Sequence, residues 1–174
     1  MIRQLFVKEH MRGTKVLLSC AAVLLMAAQP LHSQSDTSAV SSVETAKFDP
    51  SRDADQDIRM GIAEAHRTGR RVILDVGGEW CIWCHRLDAF FSENKDVSEM
   101  LRRSYVVVKV NYDKENKNEK VHSKYPKISG YPHLFVLDQK GELLHSQNTG
   151  DLESGKGYDE SKVLAFLTAW APNP

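Results

Sequence analysis

The sequence predicts an α/β domain in which a mixed central β-sheet is flanked by helices. Three observations lead there. Two short apolar runs, 71–76 and 105–111, bracket a long helical pattern, as expected of parallel strands joined by a crossover helix. Two further strand-like runs, 134–137 and 142–146, are separated only by Asp138-Gln139-Lys140-Gly141, a turn short enough for an antiparallel hairpin. Helical spacing opens and closes the series, so both faces of the sheet have helices to cover them.

The first 33 residues stand apart. Arg12 and Lys15 precede an apolar run over 16–28, the order of a secretory signal peptide. At 13 residues the run is short for a membrane span. Met11 is a second candidate start. Leu17-Leu18-Ser19-Cys20 also looks like a lipoprotein processing box, although few apolar residues precede it, and an uncleaved anchoring helix is the other alternative. The organisation expected is a signal peptide over 1–33, a flexible lead-in rich in Ser, Thr, Ala and Asp over 34–52, and one domain over 53–174. The destination expected from this segment is outside the cytoplasm, in the periplasm.

The whole chain carries 23 basic and 23 acidic residues, and without 1–33 the counts are 19 and 22. That balance gives no general attraction to nucleic acid or to a membrane surface. Of three cysteines, Cys20 leaves with the signal peptide, and the remaining two lie three apart. A structural disulfide framework would use more cysteines and wider loops.

Along the domain, residues 53–70 have Ile58, Ile62 and Ala65 on one helical face, and Gly69 is a stop signal. Residues 71–76 suit a buried strand, which Gly77-Gly78 breaks. The helix after the cysteines presents Leu87, Phe90, Phe91, Val97, Met100 and Leu101, with a break near Asn94. Residues 105–111 form the next strand, 113–120 a charged loop, and 119–125 a short helix. After the hairpin, 150–157 reads as a glycine-containing loop. Residues 159–170 close the chain as a helix, with Val163, Leu164, Phe166 and Leu167 inward.

The chemistry resides where the first strand gives way to a helix, at Trp80-Cys81-Ile82-Trp83-Cys84-His85. A cysteine at a helix N-terminus faces unpaired backbone N–H groups and the positive end of the helix dipole, which favour the thiolate. Cys81 is therefore the expected nucleophile. Cys84, on the same helical face, can resolve a mixed disulfide. His85, four residues after Cys81, either approaches that sulfur or faces solvent.

The segment Leu74-Asp75-Val76-Gly77-Gly78-Glu79-Trp80-Cys81-Ile82-Trp83-Cys84 resembles the active-site segment of thioredoxins. Ser129-Gly130-Tyr131-Pro132-His133-Leu134-Phe135-Val136-Leu137-Asp138 resembles their segment around a cis-proline. With the element order, the resemblance spans residues 53–170 and implies a thioredoxin fold. Trp-Cys-x-Trp-Cys-His followed by Leu and Phe is similar to exported thioredoxin-like proteins and disulfide-reductase domains. The resemblance implies that Pro132 is a cis-proline facing the dithiol and that Tyr131 offers its backbone to a partner peptide. It also makes Asp75 the buried acid managing protons near Cys84, and Trp80 a shield for the nucleophile. Ile82-Trp83 departs from the Gly-Pro of thioredoxin, tunes the thiols and makes the lip of the site apolar and bulky.

The expected function is thiol–disulfide exchange, reducing disulfides in exported proteins without cofactor or metal. The partners are a disulfide-bearing protein or peptide and a membrane thiol that supplies electrons. Three alternatives remain open: a non-catalytic binding or chaperone module; a haem c carrier, since Cys81-Ile82-Trp83-Cys84-His85 formally matches that attachment motif; and zinc held by the cysteines with two of His85, His122, His133 and His145.

Overall fold

A computed structural model describes residues 47–173 of the 174-residue chain. The expected signal peptide, Cys20 and the lead-in as far as residue 46 lie outside the described residues.

Helix α1 spans Ala54–Thr68 and starts where sequence chemistry places a start. The Asp53 carboxylate accepts from the Gln56 amide at 3.1 Å, and Asp55 and Asp57 lie in the first turn, near the positive end of the dipole. Gly69 ends it at φ 72°, a left-handed conformation that costs glycine little. Strand β1 (Arg71–Gly77) leads to α2 (Ile82–Glu93), α3 (Lys95–Ser104), β2 (Tyr105–Asn111) and the short α4 (Glu119–His122). Strands β3 (His133–Leu137) and β4 (Leu143–Asn148) follow, then a 3-10 turn at Thr149–Leu152, the two-residue strands β5 (Glu153–Ser154) and β6 (Gly157–Tyr158), and α5 (Glu160–Ala169). The break near Asn94 is real: its side chain caps α3 by accepting from the Val97 amide at 3.1 Å.

The main sheet runs β2-β1-β3-β4. Strands β1 and β2 are parallel, whereas β3 is antiparallel to both β1 and β4. Strand β1 is internal and nearly all buried, consistent with its continuous apolar run. Side chains alternate between faces. Ile73, Leu134 and Val136 pack with Leu87, Phe91, Val97, Leu101, Val163 and Leu167 on one side. Val72, Leu74, Val76, Phe135 and Leu137 pack with Ile58, Ala65 and Val121 on the other.

Three boundaries differ from the sequence expectation. The α4 segment stops at His122 instead of Tyr125, because Pro126 disfavours helical backbone before it, and the chain leaves through i→i+3 bonds from Lys124 to Val121 and Tyr125 to His122. Strand β4 extends to Asn148, after a bulge at Val136/Leu137. The 150–157 loop contains the β5–β6 ribbon, in which Glu153 pairs with Tyr158 and the Tyr158 side chain is buried in the core.

Candidate active site

Cys81 is the N-cap of α2, with extended backbone and its Sγ accepting from the Cys84 amide at 3.1 Å. The helix thus aims an N–H at the first sulfur, the interaction that stabilises a thiolate there. The two sulfurs are joined as a disulfide with a Cα–Cα distance of 5.2 Å. Cys81 is 5% exposed and Cys84 only 1%, so the N-cap sulfur belongs to the more accessible residue. Among the described residues, no group of three or more His, Cys, Asp or Glu could hold a metal ion.

Gly77 explains how the second sulfur fits against β1. A Cβ on Gly77 would lie 2.5 Å from Cys84 Sγ and 2.9 Å from the Phe48 ring, so a bare Cα is required for this approach. Asp75 lies two residues earlier on the same face of β1 and is 1% exposed. On α2, Asp88 follows Cys84 by four residues and shares its face. Lys109 of β2 donates to Asp75 Oδ2 at 2.7 Å and also to Asp88. The lone acid of the sequence reading is therefore a carboxylate–ammonium–carboxylate group. Burial works to lower the Lys109 pKa, but the two carboxylates outweigh it and the net shift is upward. Burial raises the pKa of Asp88 against the pull of Lys109. Asp75 Oδ1 is buried without a hydrogen-bond partner.

The lip is aromatic. Trp80 is 58% exposed, donates from Nε1 to the Tyr112 carbonyl at 2.7 Å, and meets the Tyr131 ring edge-on at 5.7 Å. Tyr131 in turn stacks on Tyr112 at 4.9 Å. Burial, with Tyr112 adding to it, pushes the Tyr131 pKa to about 12. The Tyr131–Pro132 peptide bond is cis, and the Pro132 carbonyl accepts from Thr149 Oγ1 at 2.6 Å. Ile82 is 60% exposed beside Cys81. Trp83 turns away from solvent: it is half-buried, edge-on to Tyr158, with the Arg86 guanidinium 4.5 Å above its ring. His85 is exposed, and its Nε2 lies 2.8 Å from the carbonyl of Glu79, two residues before Cys81. A cleft of about 610 Å³ opens beside Trp80, bordered by Tyr112, Glu79, Asp113, Lys114 and Lys117, with neither cysteine in its wall.

Sequence reasoning missed Lys109, Asp88 and Phe48. A lone lysine inside Val106-Val107-Val108-Lys109-Val110 was a legible sign of a buried cation needing partners. Asp88 was legible as the i+4 neighbour of Cys84. Nothing in the segment read as lead-in distinguished Phe48, which is 2% exposed and packs on Cys81 and Cys84.

The fold has counterparts among solved structures. The C-terminal domain of DsbD from Neisseria meningitidis, in its oxidised form, superposes with a TM-score of 0.51 at 17% identity, covering 72% of this chain and 99% of that one. The disulphide isomerase from Xylella fastidiosa Temecula1 superposes with a TM-score of 0.61 at 22% identity, covering 70% of this chain and 94% of that one. These likenesses establish the fold. In sequence, the chain is 27% identical over 89 residues to the thiol:disulfide interchange protein DsbD of Actinobacillus pleuropneumoniae serotype 5b (strain L20), which takes in 51% of this chain but 15% of that protein. The thioredoxin-like family model matches residues 53–139, from the cap of α1 through β3 and just past it. By that match and by its sheet, its helices and its Cys-x-x-Cys pair, the chain belongs to the thioredoxin-like family.

Proposed function

We propose that this chain is a thiol–disulfide oxidoreductase that reduces disulfides in exported proteins, using Cys81 as nucleophile and Cys84 as resolving thiol. The observation that carries the reading is the placement of Cys81 Sγ as the helix cap, accepting the Cys84 amide, with Cys84 close enough to bond it. The thiolate of Cys81 attacks one sulfur of the substrate disulfide. The Cys81–substrate bond forms as the substrate S–S bond breaks, and the leaving thiolate takes a proton. Cys84 then loses its proton and attacks Cys81, so the intramolecular disulfide forms and the second substrate thiol departs. Two electrons pass to the substrate, and a dithiol donor restores the starting state by the same exchange in reverse.

Asp75 Oδ1, buried on the Cys84 side of β1 and free of partners, suits the proton acceptor for Cys84. Tyr131, Pro132, Trp80 and Ile82 line the lip against which a substrate strand lies, and the Tyr131 backbone, ahead of the cis bond, is the part that would pair with it. The reductive direction is supported by the likeness to a disulfide interchange protein and by the lack of a histidine between the cysteines. The basic-then-apolar N-terminal sequence supports a periplasmic location, which in turn calls for a membrane thiol donor.

The test is turnover of a model protein disulfide by the reduced chain, with and without Cys81→Ser. Loss of turnover in the variant is expected. No turnover by the parent chain, with binding of the unfolded protein unchanged in Cys81→Ser, would leave a binding or chaperone module as the better description. Equilibration against glutathione gives the direction: a potential near that of DsbA, about −120 mV, would make it an oxidant instead.

A further inference from the structure

We propose that Phe48 is a positioning residue for the dithiol: its ring, clipped in place by Glu79, excludes water from Cys84 and keeps that thiol protonated until Cys81 holds a mixed disulfide. The inference deepens the proposed exchange reaction and rests on it.

Phe48 is 2% exposed, yet it belongs to neither of the two large apolar cores. Its buried neighbours are Cys81 and Cys84, with Trp83 and Tyr131 at the margin. The ring edge and Cys84 Sγ converge on the bare Cα of Gly77, where a Cβ would lie 2.9 Å from one and 2.5 Å from the other. The ring face receives the Lys109 ammonium 4.3 Å from its centroid, on the same nitrogen that serves Asp75 and Asp88. The surface that Phe48 buries is therefore redox and proton-handling surface. A residue serving only stability would be expected to bury itself in a main core.

The clip is polar. The Phe48 amide donates to Glu79 Oε1 at 2.9 Å. Glu79 is two residues before Cys81, and its carbonyl meets His85 Nε2 at 2.8 Å. The segment ahead of α1 is thus fastened to the loop that carries the nucleophile. A thiol packed under an aromatic ring pays a desolvation cost on ionising, which disfavours its thiolate. Cys81, at the helix cap, has the opposite bias. The cap N–H at Cys81 and the ring over Cys84 together therefore bias the first sulfur toward the thiolate and the second toward the thiol.

The test uses the full chain carrying Cys81→Ser, reduced, with the rate of Cys84 alkylation by iodoacetamide followed from pH 6 to 10. The carbon–sulfur bond forms, iodide leaves and the thiol proton goes to buffer. Detection on the Cys84 peptide by mass spectrometry keeps Cys20 out of the signal. Phe48→Ala is expected to raise the rate at pH 7 by about tenfold, equivalent to one unit in the thiol titration, and Phe48→Leu to return most of the way to the parent. Glu79→Ala should move the profile the same way by about threefold, whereas Glu79→Gln, which keeps an acceptor oxygen, should not. If Phe48→Ala does not fold, the Glu79 pair decides. Superimposable profiles for the parent, Phe48→Ala and Glu79→Ala overturn the proposal. The readout needs no turnover, so a failure of the exchange reaction itself appears separately, as the parent chain's failure to turn over a model protein disulfide.

Discussion

Lys109 and Asp75 stand opposite each other across the β1–β2 ladder, and the lysine ammonium donates to Asp75 Oδ2 at 2.7 Å. The same ammonium reaches Asp88 on α2, so one cation serves two carboxylates on the side of β1 where Cys84 packs. Asp75 is 1% exposed, and the side chains of Lys109 and Asp88 are 11% and 17% exposed. Charges this deep are tolerated only as a group, since an unpaired one would carry its full desolvation cost.

Lys109→Met should therefore cost about 3–5 kcal/mol at neutral pH, because it strands two buried carboxylates. The pH dependence is specific. The folded-state pKa of Lys109 lies above its ordinary 10.5. Its contribution is fully present below pH 10.5 and is lost as pH rises through the raised folded value. Urea denaturation from pH 7 to 11.5 should show a steep alkaline loss of stability in the parent and a shallower one in Lys109→Met. Parallel curves would show that the ammonium is not structurally coupled to its partners.

How far the sequence could carry this site depends on the kind of residue. Cys81 and Cys84 were legible because a Cys-x-x-Cys at a strand-to-helix junction has a local physical purpose. The β1–β2 parallel pair and the β3–β4 hairpin were legible because apolar runs and connection lengths leave few arrangements. Asp75 was found by resemblance, but its partner was not, since register alone brings Lys109 opposite it and register is not local. Phe48 could not be read at all: its burial depends on contacts with Gly77 and with Glu79, 31 positions away. Trp83 was expected at the lip and sits half under Tyr158, because β5–β6 returns an aromatic ring to α2 from a segment that read as loop.

His133, which follows the cis-proline, supplies an acid-side prediction. It is 4% exposed, its Nε2 lies 2.8 Å from Ser146 Oγ, and its Nδ1 has no partner. Burial, with His145 adding to it, lowers its pKa from 6.5 to about 4. The unfolded chain therefore binds the proton more readily between those values, and stability present above pH 6.5 is lost as pH falls toward 4. The loss attributable to this side chain should be on the order of 2–3 kcal/mol. His133→Gln should flatten the profile between pH 4.5 and 6.5 in guanidinium denaturation. An unchanged slope would place the acid sensitivity elsewhere.

Gly77→Ala tests the close approach of β1 and α2. The new methyl would meet Cys84 Sγ at 2.5 Å and the Phe48 ring at 2.9 Å, so one of them has to move. Overpacking of this kind costs about 1–3 kcal/mol. It should also displace Cys84 from its bonding position and slow closure of the Cys81–Cys84 disulfide. Thermal unfolding and stopped-flow oxidation of the reduced chain measure the two effects. A loss of stability without slower closure would mean that Phe48 alone yields.

Asp75→Asn separates proton transfer from charge balance. The amide keeps an oxygen to accept from Lys109 but no longer takes up a proton at the buried Oδ1 position, whose carboxylate atom has no partner in the folded chain. If that oxygen receives the Cys84 proton, the first exchange at Cys81 should be unaffected and the second should slow about 100-fold, the low end for loss of a general base. The mixed disulfide between Cys81 and substrate would then accumulate and be trapped by acid quench in a single turnover. Asp88→Asn should not produce this accumulation, because Asp88 has no oxygen that is buried without a partner, as Asp75 Oδ1 is. Equal accumulation in both variants would instead assign the effect to the net charge of the Asp75–Lys109–Asp88 group, since both substitutions remove one negative charge from it.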